Sequence, residues 1–130
     1  MKEIPIGLHG RAETLVTREN TAQAVASGTL AVFATPMMIA LMEQAALSCV
    51  APYLDEGEST VGTLMNISHD SATPVGMNVR AEAELTAVDR RRLVFTVSAY
   101  DDAGCIGKGT HERFVVSNEK FLKKTYAKLP

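Results

Sequence analysis

Residues 36–54 read PMMIALMEQAALSCVAPYL. Strong helix formers fill this stretch, and Thr35-Pro36 in front of it offers an N-cap followed by proline at the first helical position. Asp55-Glu56-Gly57 ends it, after a Pro52 expected to distort the last turn. Glu43 is the only charged residue in the segment. A helix this apolar around its circumference is normally buried on most sides. The rest of the chain is therefore expected to wrap around it.

The sequence after the helix supplies wrapping material. Val61–Ser68 reads as a strand. Met77–Val88 then sets Met77, Val79, Ala81, Ala83, Leu85 and Ala87 against Asn78, Arg80, Glu82, Glu84 and Thr86, the alternation of a half-buried strand. A turn at Asp89-Arg90-Arg91 leads to a strand over Leu93–Tyr100, and Asp101-Asp102-Ala103-Gly104 makes the next hairpin. In the last strand, Ile106–Val116, Gly107 and Gly109 share one side, as if another backbone approaches there closely. Strands of this length exceed the usual five or six residues, and long antiparallel strands after one buried helix suggest a curved sheet gripping it. Upstream, Arg11–Thr17 reads as an edge strand and Asn20–Ser27 as a short helix or connector ended by Gly28. Downstream, Glu119–Leu129 reads as a peripheral amphipathic helix. This β-α-β-β-β-β order is the hot-dog arrangement, an α+β fold, and the pattern alone is shared by other α+β sandwiches.

The chain has 130 residues, enough for one domain (1–130) with a sizeable core, and no repeat or linker divides it. It is 22% charged with a formal charge of −2, which gives no global attraction to nucleic acid or to an anionic membrane. No apolar run is long enough to span a bilayer. The first residues lack the apolar core of a signal peptide, so a cytoplasmic location is expected. Cys49 and Cys105 show no metal-ligand spacing and read as two reduced thiols.

Three residues stand out as candidates for chemistry. Glu43 is the anomalous one, because a carboxylate on a buried helix must be paired, protonated or functional. Half-burial would raise its pKa and suit it to act as a general base or nucleophile. Thr35 reads either as an ordinary N-cap or as part of an anion site at a helix N-terminus. His69 ends the strand that follows the helix, a position that often carries function, although a lone histidine there is more often structural. Thr35 and Glu43 are eight residues apart, about 12 Å along a helix axis, so they cannot touch one another. Either His69 lies between them, or a substrate spans them, or a second subunit brings one across. Each option predicts a cleft beside the helix. Arg90, Arg91, Arg92, Arg80, Lys108 and Arg113 offer contacts to a phosphate, or are ordinary surface charges.

Several motifs together resemble the fluoroacetyl-CoA thioesterase group of hot-dog proteins. They are Val32-Phe33-Ala34-Thr35-Pro36, Met42-Glu43, Ala51-Pro52-Tyr53-Leu54, Gly62-Thr63, the run from Ser68 to Gly76, and Gly109-Thr110-His111-Glu112-Arg113. The resemblance covers roughly Phe33 to Val116. It implies a homodimer, or a dimer of dimers, that hydrolyses acyl-CoA thioesters without a metal or cofactor, CoA being part of the substrate. It also implies catalytic roles for Thr35, Glu43 and His69, and substrate contacts from Gly62 and Arg113. In that group, selectivity for the fluorinated acyl group is associated with an aromatic lid before the threonine. Residues 26–31 read ASGTLA, with no aromatic, so a generic short or medium acyl-CoA is the expected substrate. A hot-dog hydratase or dehydratase and a non-catalytic acyl-CoA-binding protein are the competing readings.

Overall fold

The computed structural model describes residues 1–130. Strand β1 (His9–Leu15) comes first, and helix α1 (Thr35–Val50) follows after a long connection. Then come β2 (Glu58–His69), β3 (Asn78–Asp89), β4 (Arg92–Asp101), β5 (Gly104–Ser117) and the terminal helix α2 (Asn118–Tyr126). The strands form one fully antiparallel sheet in the order β1-β3-β4-β5-β2. The two edges are therefore β1 and the 12-residue β2. This is the curved sheet and single long helix expected of a hot-dog protein.

The core is a two-layer contact between α1 and one face of the sheet. Met38, Leu41, Met42, Ala45, Ala46, Cys49 and Val50 of α1 are buried. They meet the inward residues of β3 (Val79, Ala81, Ala83, Leu85) and β4 (Leu93, Phe95, Val97, Ala99). The period-two alternation read along β3 is the one observed, with its odd-numbered apolar residues inside.

Two expectations are corrected and two are narrowed. The edge strand begins two residues earlier, at His9, because Gly10 to Leu15 find their partners from Ala83 to Asn78. Of the two readings of Asn20–Ser27, helix or connector, the connector is the one observed. A single 3-10 turn, Arg18–Asn20, is followed by turns that fold back so that Thr21 bridges Phe33. The central helix ends at Val50 and tightens into a 3-10 turn over Ala51–Tyr53 around Pro52. Finally, α1 is buried on one face rather than most of its circumference. Pro36, Ala40, Gln44 and Leu47 remain exposed, because the sheet covers only the side it faces. That uncovered stripe lies beside the free edge strand β2, where Leu64 is 47% exposed.

Candidate active site

Thr35 is the first residue of α1, and the N-cap is Ala34, which makes no side-chain cap. The capping role expected of Thr35 is therefore corrected. Its hydroxyl shares a 2.7 Å hydrogen bond with His69 Nδ1 instead. The backbone explains why the two residues meet. Phe33 N–H donates to Thr73 O at 2.9 Å and Ala34 N–H to Asn20 O at 3.0 Å, which pins the approach to the helix. His69 is the last residue of β2, and the next amide, Asp70 N–H, donates to Ile106 O at 2.7 Å. With Thr35 donating to Nδ1, the imidazole carries its proton on Nε2, which has no partner within the chain. A pocket of about 240 Å³ opens at this pair, walled by Ala22, Ser27, Val32 and Phe33. As an anion cradle the helix end is limited, since Pro36 has no N–H and Met37 N–H is already bonded to Ala34 O.

Glu43 lies two turns further along α1, at a second cluster. Its Oε2 accepts from Arg113 Nη1 at 3.1 Å. Of the three ways to place a carboxylate on this helix, pairing is the one observed. The pairing is lopsided, with the Arg113 side chain 6% exposed and that of Glu43 39% exposed. The carboxylate thus stays reachable from outside while its partner is locked in. Gly62 explains how β2 comes so near: a Cβ there would collide with the Glu43 carboxylate. The ladder between β2 and β5 shifts register between Gly62 and Leu64, and a bulge of this kind re-aims a strand beside a functional group.

Arg113 is held at every corner. Nε donates to Thr60 Oγ1 at 2.8 Å, Nη2 to Thr60 O at 2.9 Å, and Nη1 faces both Glu43 and His111 Nε2, the latter at 3.2 Å. Within the chain its charged contact is with Glu43. His111 was not a candidate in the sequence, yet it is wholly buried in this cluster. The signal was present in strand parity: His111 and Arg113 lie on the same side of β5 as Gly107 and Gly109, the side turned to the helix. Burial, and secondarily the Arg113 charge, push the His111 pKa down, against the pull of its hydrogen bond to Leu64 O.

Other nucleophiles and ligand sets are poor. Cys49 is buried, and burial pushes its thiol up to about 11, so no thiolate is available there. No group of three His, Cys, Asp or Glu side chains is gathered for a metal. The hairpin arginines sit beside carboxylates, Arg91 at 3.8 Å from Glu58 and Arg92 at 3.0 Å from Glu112. Arg80 lies over the Tyr100 ring at 4.7 Å.

Within one chain the structure thus joins Thr35 to His69, and Glu43 to Gly62 and Arg113, as two clusters along one side of α1. Comparison with known proteins is consistent along the whole length. The sequence profile of the fluoroacetyl-CoA-specific thioesterases matches residues 16–119. A fluoroacetyl-CoA thioesterase of Streptantibioticus cattleyicolor is 48% identical over 99 residues, covering 76% of this chain and 71% of that one. A solved structure of a fluoroacetyl-CoA thioesterase superposes with a TM-score of 0.93 at 38% identity, covering 99% of this chain and all of the other. A thioesterase superfamily member from Thermus thermophilus gives 0.89 at 31% identity, covering 98% and 94%. By profile, sequence and fold, this chain belongs to the fluoroacetyl-CoA-specific thioesterase family.

Proposed function

We propose that the protein is an acyl-CoA thioesterase, cleaving a short or medium acyl-CoA to the free acid and CoA. The observation that carries this reading, beside family membership, is a carboxylate positioned by a buried guanidinium and left open to solvent. Glu43 supplies the attacking oxygen, either directly on the thioester carbonyl or through a water molecule that it deprotonates. The carbonyl–sulfur bond breaks, the Nε2–H of His69 donates a hydrogen bond to the departing thiolate, and the thiolate takes its proton from water. Thr35 orients that imidazole through Nδ1. Along the direct path, water then hydrolyses the resulting acyl–Glu43 anhydride. The reaction needs no metal or cofactor, and a cytoplasmic setting suits a CoA substrate.

The two clusters are about 12 Å apart along the helix axis, too far for one small acyl group to touch both in a single chain. A homodimer resolves this. Pairing through the exposed α1 stripe and the free edge of β2 would set Glu43 of one protomer against Thr35 and His69 of its partner. The lid segment keeps no aromatic side chain at residues 26–31, which favours an ordinary acyl group over a fluorinated one. A panel of acyl-CoAs assayed with a thiol reagent tests the reading. Thiol release is expected from the wild-type protein and a loss of at least about 100-fold from Glu43→Gln. Equal thiol release from both proteins would refute it.

A further inference from the structure

His111 is buried on β5 with its ring stacked on Phe95, its partner on β4, at a centroid distance of 6.0 Å. Its protonation state follows from its neighbours. Nδ1 lies 2.8 Å from Leu64 O, and a carbonyl oxygen can only accept. Nδ1 therefore carries the proton, and Nε2 presents a bare lone pair. The group facing that lone pair is Arg113 Nη1, which has two hydrogens. One is taken by His111 Nε2 and the other points at Glu43 Oε2. Thr60 fixes the opposite side of the guanidinium.

We propose that His111 is a positioning residue for hydrolysis: its unprotonated Nε2 sets the rotation of Arg113, which in turn aims the Glu43 carboxylate. This rests on the reading of Glu43 as the reacting carboxylate. The groups around His111 are Arg113 and Glu112 on β5, Leu64 O on β2, Glu43 on α1 and the uncharged Phe95 on β4. Glu112 is engaged on the outer face with Arg92. A second proton on the imidazole would set an N–H against the Arg113 N–H, two donors beside a like charge. Arg113 would have to turn away, and Glu43 would lose its anchor. Burial resists that protonation, so the arrangement holds at neutral pH and fails in acid.

Two substitutions separate this role from simple packing. His111→Phe keeps an aromatic ring against Phe95 and removes the acceptor. His111→Gln keeps an acceptor for Arg113 and cannot titrate in this range. The Phe variant is expected to lose about 10- to 100-fold in kcat with little change in KM. The Gln variant is expected to recover most of that loss and to stay active at acid pH values where the wild type declines. A Phe variant with wild-type kcat, or a Gln variant that declines in acid as the wild type does, would overturn the proposal. A readout independent of turnover is the guanidinium nitrogen spectrum of Arg113. Its slowed N–H signals should sharpen in the wild type at neutral pH and collapse in the Phe variant or on acidification. Arg113 signals unaffected by His111→Phe would overturn the proposal even in a chain that hydrolyses no acyl-CoA. Intact Arg113 coupling without any hydrolysis would instead refute the thioesterase reading alone.

Discussion

Arg113 forms three hydrogen bonds through its two outer nitrogens and Nε to Thr60 and Glu43, and accepts the orientation that His111 imposes. Lysine has one charged nitrogen and cannot reproduce a planar fork of donors. Arg113→Lys should therefore destabilise the fold by about 2–3 kcal/mol, mostly from Thr60 and His111 atoms left unpaired in the interior. Chemical denaturation would measure it, and a change below about 0.5 kcal/mol would mean the cluster is not held as described. Stability should also depend on pH through His111. The unfolded imidazole titrates near its ordinary value of 6.5, and the folded one lower. Above 6.5 both states are neutral and the fold keeps its full stability. As pH falls below 6.5, the unfolded chain binds a proton that the folded chain refuses, so stability declines until the lowered folded value is reached. Denaturation midpoints compared between about pH 7.5 and 5.5 should fall more for the wild type than for His111→Gln.

At the scale of elements, the start of α1 and the bulge of β2 each separate a structural role from a chemical one. Thr35 would cost about 1 kcal/mol on removal if it were a cap. Since Ala34 holds the cap position and the Thr35 hydroxyl goes to His69, Thr35→Val should change stability by less than about 0.5 kcal/mol while lowering kcat by about tenfold or more. A variant that unfolds early but turns over normally would restore the capping role. Gly62→Ala tests the bulge. Its methyl group must displace the Glu43 carboxylate, the flexible end of a half-exposed side chain, and meets the His111 ring less severely at 3.3 Å. Thiol release should drop sharply with the melting temperature little changed. Much of this was legible in the chain. Glu43 stands out as the one charge on α1, and the strand alternation of β3 was read residue by residue. Thr35 was misread locally, because Thr-Pro is an ordinary cap pattern and only the arrival of His69, 34 residues later, gives the hydroxyl another partner. His111 was passed over because strand parity places it on the helix-facing side of β5 without saying what it meets there. Its meaning depends on Leu64 and Arg113 meeting it across the sheet.

For the whole molecule, the question is whether one chain contains a working site. Thr35 with His69, and Glu43 with Arg113, occupy separate positions along α1. The helix stripe from Pro36 to Leu47 and the β2 edge are left uncovered between and beside them. A two-fold interface presents the same patch from both chains, so covering this stripe would bring each Glu43 towards the other chain's Thr35 and His69. The sequence anticipated this choice only as one of three options, since spacing along a helix fixes a separation and not the identity of whatever bridges it. Mixing two inactive variants distinguishes them. Glu43→Gln and His69→Ala chains are each expected to be inactive alone. After unfolding and refolding together in equal amounts, half the dimers are mixed, and each mixed dimer regains one intact site if the site is shared between chains. Activity should then return to about a quarter of the wild-type value, with light scattering reporting a dimer. If Thr35, His69 and Glu43 of a single chain act together, a mixed dimer contains two broken sites and no activity returns. A monomer by light scattering with full wild-type turnover would exclude the shared site altogether.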